Sequence, residues 1–223
     1  MDGIIPVYKP SGCTSFDVVA AMRRICMTKS VGHGGTLDPM AEGVLPIFLG
    51  AATKAVDLMP DTSKEYLAGF RFGMTTDTQD ITGTIIAMNP AYVSRNKMIF
   101  VERYKGEIEQ IPPMFSAVSV GGKRLYELAR EGIEVEREPR KVTIHSIKVE
   151  EYADNVGVMR VSCSKGTYIR TLIHDIGNSL GVGGVMTSLV RTKSAGFTPE
   201  QCQRVEELQR IALEELRFRR VTV

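Results

Sequence analysis

Residues 156–181 read VGVMRVSCSKGTYIRTLIHDIGNSLG, and two hydrophobic periods meet inside them. From Val156 to Cys163 apolar residues alternate, so Met159, Val161 and Cys163 share one side, as on a half-buried strand. The alternation breaks at SKGTY. Beyond it Ile169, Leu172, Ile173, Ile176 and Leu180 recur at the spacing of one buried helix face, with Gly181 placed as the C-cap. A period of two running into a period of 3.6 marks a mixed α/β domain rather than a helical bundle or a repeat array.

Other segments agree. Ile4 to Tyr8 reads as a short strand. Thr14 and Asp17 have capping-box spacing, ahead of a helical stripe of Val18, Ala21, Met22 and Ile25. Tyr66, Ala68, Phe70 and Phe72 lie on one face of a strand that ends at the turn-rich GMTTDTQDITG. The chain closes with a helical VEELQRIALEELR and a basic tail, RFRRVTV. Residues 111–141 form a charged excursion expected to be mobile and to contain a short helix ending at Gly132. Because 121–141 holds six basic and five acidic residues, it is no simple polybasic patch.

Composition narrows the classes. The 223 residues, 43% hydrophobic and 24% charged, suit one large domain or two joined lobes with a substantial core. A formal charge of +2 neither demands nor excludes a nucleic acid, since binding depends on where charge gathers. Cys13, Cys26, Cys163 and Cys202 lack the spacing of a disulfide framework or a zinc site. His33, His145 and His174 are too dispersed for a metal cage. MDGIIPVYKPSG has no basic segment followed by an apolar run, so no signal peptide is expected, and no apolar run approaches the roughly 20 residues of a membrane span. A cytoplasmic protein without metal or cofactor is expected.

Familiar motifs fall away. GVGGV after Leu180 lacks the context of a dinucleotide fingerprint, GAATKA the spacing of a P-loop, and DTQDITG the ligand spacing of a calcium loop. What remains is Asp38 in GHGGTLDPMAEGVLPI, residues 32–47. Glycines 32, 34 and 35 permit close approach or positive φ, while Pro39 holds Asp38 in extended conformations. A rigid loop carboxylate suits a nucleophile, but Asp is equally a turn former before proline. Arg170 begins the helix after SKGTY, off its apolar face; it reads either as a surface arginine or as a carboxylate's bidentate partner. Tyr66 reads as core packing or as a site aromatic.

Taken together, KPSGCTS, GHGGTLDPMAEGVLPI, KEYLAGFRFGMTTDTQD, PPMFSAVSVGGKRLYELAREG, SKGTYIRTLIHDIG and LVRTKSAGF resemble, in order, the pseudouridine synthase family. The resemblance covers nearly the whole chain. It implies a catalytic fold with a long curved mixed β-sheet flanked by helices and a central RNA-binding cleft. It implies isomerisation of uridine to pseudouridine at position 55 in the T-loop of tRNA. That reaction breaks the N1–C1′ bond and makes a C5–C1′ bond from the same atoms, so one carboxylate suffices and no cofactor or metal is needed. Asp38 matches that carboxylate, Arg170 the arginine that keeps it charged, and Tyr66 the tyrosine that stacks on the base. Tyr168 and Leu189 match uridine-pocket residues, and Lys9 and Pro10 a motif supporting the catalytic loop. Thr36 and Arg191 join the expected substrate-binding set. His33 matches the histidine that fills the space left by the flipped base, and 111–141 the family's RNA-gripping insertion.

Two departures accompany the resemblance. No small C-terminal RNA-binding (PUA) domain is recognisable, so residues 1–223 are expected to form one catalytic domain. Val190 stands where relatives commonly carry a second arginine. The expected partner is the tRNA T-stem-loop, with no obligatory protein partner. A non-catalytic tRNA-folding chaperone is the alternative, and a glycosidase pairing Asp38 with Glu42 a more distant one.

Overall fold

The computed structural model describes residues 2–59 and 61–221, the side chains of 57 and 215–221 excepted. The basic tail expected at 217–223 therefore lies outside the described side chains. In chain order the elements are β1 (Gly3–Lys9), α1 (Ser15–Ile25), β2 (Val31–His33), β3 (Glu42–Leu49), β4 (Lys64–Phe72), β5 (Met74–Thr76) and β6 (Ile85–Met88). There follow β7 (Gly106–Gln110), β8 (Ser119–Val120), β9 (Lys123–Arg124), α2 (Leu125–Arg130), β10 (Arg140–Ala153), β11 (Val156–Cys163), α3 (Ile169–Ser179), β12 (Gly184–Ser194) and α4 (Val205–Val221). The sheet is mixed, with strand order β1-β3-β12-β4-β11-β10-β7 and β2 on β3. The chain divides into two compact units, residues 1–66 with 189–223, and residues 67–188.

In the first unit β3 is the centre. β1 runs antiparallel to it from Gly3 opposite Leu49 to Lys9 opposite Gly43. β2 pairs antiparallel with its far end. β12 joins in parallel, Arg191 opposite Gly43. The helix signal in Thr14 and Asp17 is realised in full: each side chain bonds the other's backbone N–H, closing the capping box of α1. Val18, Val19 and Met22 of α1 pack with Val7, Leu45, Ile47 and Leu49, and Val205 and Leu208 of α4 cover the same cluster. Val19 is buried on that stripe in place of the expected Ala21, and Ala21 and Ile25 are half-buried.

In the second unit β10 pairs antiparallel with both β11 and β7. The expected faces hold: Ala68, Phe70 and Phe72 on β4 and Met159, Val161 and Cys163 on β11 are buried. Phe70, Phe72 and Tyr152 form one aromatic cluster with centroids 4.9–6.3 Å apart. α3 buries Ile169, Leu172, Ile173 and Ile176 as its spacing requires. Leu180 is only half-buried, because it is the helix C-cap, and Gly181 follows with φ +76°. The short helix expected in 111–141 is α2, ending before Gly132. Arg140 and Lys141 belong to β10 instead, paired with Gln110 and Glu109, so the excursion is shorter at its end than expected.

Gly43 is the tightest point of the first unit. Its φ is +111°, and a Cβ there would lie 2.3 Å from the carbonyl oxygen of Arg191. Strain and overlap at a paired strand position add. Gly43→Ala is expected to destabilise the fold by about 3 kcal/mol or more in denaturant unfolding. A loss under about 1 kcal/mol would mean the β3–β12 approach is not this close.

Candidate active site

Asp38 lies on the loop from Gly34 to Ala41, between β2 and β3, and is half-buried. Backbone carbonyls outside regular structure need donors when shielded from water. Here seven in a row find them. Arg191 Nη2 donates to Gly35 O at 3.1 Å and Nη1 to Thr36 O at 3.4 Å. Ser15 Oγ donates to Leu37 O at 3.2 Å and accepts the Leu37 N–H at 2.8 Å. The Ala41 N–H closes a turn onto Asp38 O at 3.0 Å, and the Gly12 N–H reaches Pro39 O at 2.8 Å. Ser11 Oγ donates to Met40 O at 2.9 Å, and Lys9 Nζ to Ala41 O at 2.6 Å.

The KPSGCTS segment is thus a clamp. Lys9 has no exposed surface and also reaches Pro10 O at 2.8 Å and Pro39 O at 3.4 Å. Burial pulls its ammonium below the usual lysine range. The expected support by Lys9 is provided by hydrogen bonding. Pro10 is exposed and contributes its carbonyl. Ser11, Gly12 and Ser15 escaped sequence reasoning, and only the serine-rich composition of the motif hinted at them.

Arg191 was expected among substrate contacts. In the structure its side chain is 0% exposed, and its Nε–H donates to Val44 O at 2.7 Å. Three of its five N–H donors meet backbone carbonyls, and the whole side chain is buried. Thr36 keeps an exposed side chain. Tyr66 on β4 and Leu189 on β12 are buried in the same unit. Glu42, the acid of the glycosidase alternative, hydrogen-bonds the Tyr8 hydroxyl, whose pKa is raised by burial and by that carboxylate.

His33 ends β2, half-buried. Its Nδ1 accepts the Gly35 N–H at 3.2 Å, so the neutral ring carries its proton on Nε2. Burial first, then the charges of Arg191 and Lys64, push its pKa below the ordinary 6.5.

Arg170 and Tyr168 belong to the second unit. Arg170 is no surface arginine: it is 3% exposed, at the first turn of α3. Nη1 donates to Thr78 O and Nη2 to Phe115 O, both at 2.9 Å, and Nε lies 3.9 Å from the Asp80 carboxylate. Asp80 is itself buried and accepts from Thr78 Oγ1 at 2.9 Å, the Thr82 N–H at 2.9 Å and Thr82 Oγ1 at 2.6 Å. The DTQDITG turn, set aside as a calcium loop, therefore holds an arginine. Tyr168 is the N-cap residue of α3, and the buried Gln110 side chain brackets its backbone, accepting from Tyr168 N at 3.0 Å and donating to Tyr168 O at 3.2 Å. Among the described residues no three His, Cys, Asp or Glu side chains group as a metal site, and no helix is long and apolar enough to cross a membrane.

The half-buried Asp38 carboxylate on a fully bonded loop, in a mixed α/β fold, fits the framework of a pseudouridylate synthase. The family model described as TruB family pseudouridylate synthase, N-terminal domain, matches residues 23–169, and that of the tRNA pseudouridylate synthase B C-terminal domain matches 170–221. The chain belongs to the TruB family of pseudouridylate synthases. It is 47% identical over 217 residues to tRNA pseudouridine synthase B of Clostridium perfringens, covering 96% of this chain and 74% of the relative. To the Clostridium kluyveri protein of that name it is 50% identical over 198 residues, covering 88% and 68%. Among solved structures, a Cbf5-Nop10-Gar1 complex matches with TM-score 0.71 and 33% identity, over 94% of this chain and 59% of that chain. An H/ACA RNP bound to a substrate RNA containing 2′-deoxyuridine matches with TM-score 0.69 and 32% identity, over 93% and 52%. The chain thus spans between half and three fifths of those solved chains.

Ser15→Ala removes both bonds to the buried Leu37 backbone and is expected to cost about 1–3 kcal/mol of stability. A variant melting with the wild type would remove Ser15 from the clamp. For His33 the folded pKa is depressed, so the unfolded chain takes up the proton first as pH falls. Stability is full above about pH 6.5 and declines below it until the folded ring also titrates. His33→Gln is expected to lose less melting temperature than wild type between about pH 7.5 and pH 5.5. His174, also depressed by burial, leaves a residual slope. Identical slopes in wild type and variant would contradict a buried neutral His33.

Proposed function

We propose that this chain isomerises uridine to pseudouridine at position 55 in the T-stem-loop of tRNA, in the cytoplasm. The reading is supported by family membership and by relatives named tRNA pseudouridine synthase B over nearly the whole chain. The observation that carries it is the half-buried Asp38 on a loop whose carbonyls from Gly35 to Ala41 are all paired. A carboxylate so held has lost its orientational freedom before substrate arrives, which favours attack over solvation.

Balance agrees with a single carboxylate. The N1–C1′ bond breaks, the C5–C1′ bond forms, N1 gains a proton and C5 loses one, with no water consumed and no electron transferred. In the proposed roles Asp38 meets the reacting nucleoside, Arg170 keeps it ionised and Tyr66 stacks on the base. Tyr168 and Leu189 line the uridine pocket. His33, small, flat and uncharged, takes the place of the base that flips out at a cost of a few kcal/mol. The excursion after Ile111 grips the RNA.

Wild type and Asp38→Asn are compared in single turnover on an unmodified tRNA transcript, with position 55 read by carbodiimide adduct and primer extension. Wild type is expected to convert and the variant to slow by about a thousandfold or more, with tRNA affinity retained. Tight binding without product from wild type would favour the chaperone alternative. Equal rates would remove Asp38 from the chemistry.

A further inference from the structure

Two buried cations flank one glycine. Lys9 lies opposite Gly43 on the β1 side of β3, and Arg191 opposite the same Gly43 on the β12 side. Gly43 stands where the Asp38 loop enters β3. The two cations divide the loop between them. Lys9 takes carbonyls after Asp38, at Pro39 and Ala41. Arg191 takes Gly35 and Thr36 before it and Val44 beyond it. Arg191 ties the start of the loop to β3 just past its end, beside the bond from the Gly34 N–H to Pro46 O at 2.9 Å.

We propose that Arg191 is a positioning residue that fixes the start of the Asp38 loop against β3, and that its guanidinium sets where the carboxylate stands rather than binding RNA. The inference rests on the catalytic reading of Asp38. Three features support it. The side chain has no exposed surface, so phosphate has no access to it. Its acceptors span Gly35 to Val44, both sides of Asp38, and reach across 147 to 156 positions of sequence. Lysine cannot replace it: three donors on one nitrogen cannot fork to carbonyls at the start of the loop and in β3, whereas guanidinium donors diverge from a rigid plane. Gly43 supports the same geometry, since only a residue without Cβ lets the Arg191 backbone approach closely enough.

The full chain with Arg191→Lys is compared with wild type in single turnover, with enzyme in excess over a T-stem-loop RNA. The expected result is a rate constant at saturating enzyme at least about tenfold lower, with the RNA Kd within about threefold of wild type. A merely structural role would lower the amplitude, through a misfolded fraction, and leave the rate constant of the active fraction unchanged. A phosphate contact would raise Kd and flatten its salt dependence at an unchanged rate constant. Either result overturns the proposal. If Arg191→Lys does not fold, wild type decides: the Arg191 Nε–H resonance is expected to be slowly exchanging and to stay unshifted when the RNA is added. A shift or exchange on the scale of solvent-exposed arginines would overturn it. Wild-type turnover is the internal control. Its absence would sink the catalytic reading, while the resonance still reports whether the guanidinium holds the loop.

Discussion

An irregular loop that must stand still inside a protein has to satisfy its carbonyls without a ladder, and this requirement organises the first unit. Of the seven carbonyls from Gly35 to Ala41, six draw donors from two distant segments, 9–15 and Arg191, and that of Asp38 takes the Ala41 N–H within the loop. Both must arrive at the same end of β3. An antiparallel β1 brings Lys9 there as it ends, and a parallel β12 brings Arg191 there midway. The mixed character of the sheet is therefore tied to the loop: two strands of opposite sense deliver their cations beside one glycine.

The second unit repeats the device with other parts. Arg170, on the first turn of α3, reaches the carbonyls of Thr78 and Phe115, two turn-rich segments with no ladder partners at those atoms. Asp80 adds the counter-charge, and its own lone pairs are filled by Thr78 and Thr82. In each unit an arginine on a regular element pins irregular backbone. Arginine suits the task because it stays charged when buried and spreads its donors in a plane. Lysine appears where the acceptors crowd at one point, as at Pro10, Pro39 and Ala41.

Periodicity carried most of the fold. The strand–break–helix pattern of 156–181 and the Thr14–Asp17 capping box are local signals, written within a few residues of the structure they specify. The clamp is not local. Ser15 and Leu37 lie 22 positions apart, and Arg191 and Thr36 lie 155 apart, so no window on the sequence contains both partners. Arg170 illustrates the difference. Its position off the apolar face of α3 suggested solvent, yet the space beside that face is filled by the Thr78–Asp80 turn. Of the acids of that turn, Asp80 serves a guanidinium, while Asp77 accepts the Thr84 N–H. Asp38 stood out through its glycines and proline, and those residues describe how the loop bends, not what holds it.

The buried cations also change how the charge of the chain is read. Among the described residues Lys9, Arg170 and Arg191 are inside, against one buried acid, Asp80, a difference equal to the formal +2 of the chain. The remaining chain is formally neutral, so attraction for a polyanion has to come from local gathering of cations. Such gathering exists along 95–105, where Arg95, Lys97, Arg103 and Lys105 are exposed beside the single acid Glu102. A near-neutral pseudouridylate synthase is then no contradiction. The charges that count toward its composition include those that hold the Asp38 loop, and a net value adds them to charges that face solvent. Separating the two by burial shows that this chain invests its deepest cations in backbone geometry, on the carbonyls that Lys9, Arg170 and Arg191 reach.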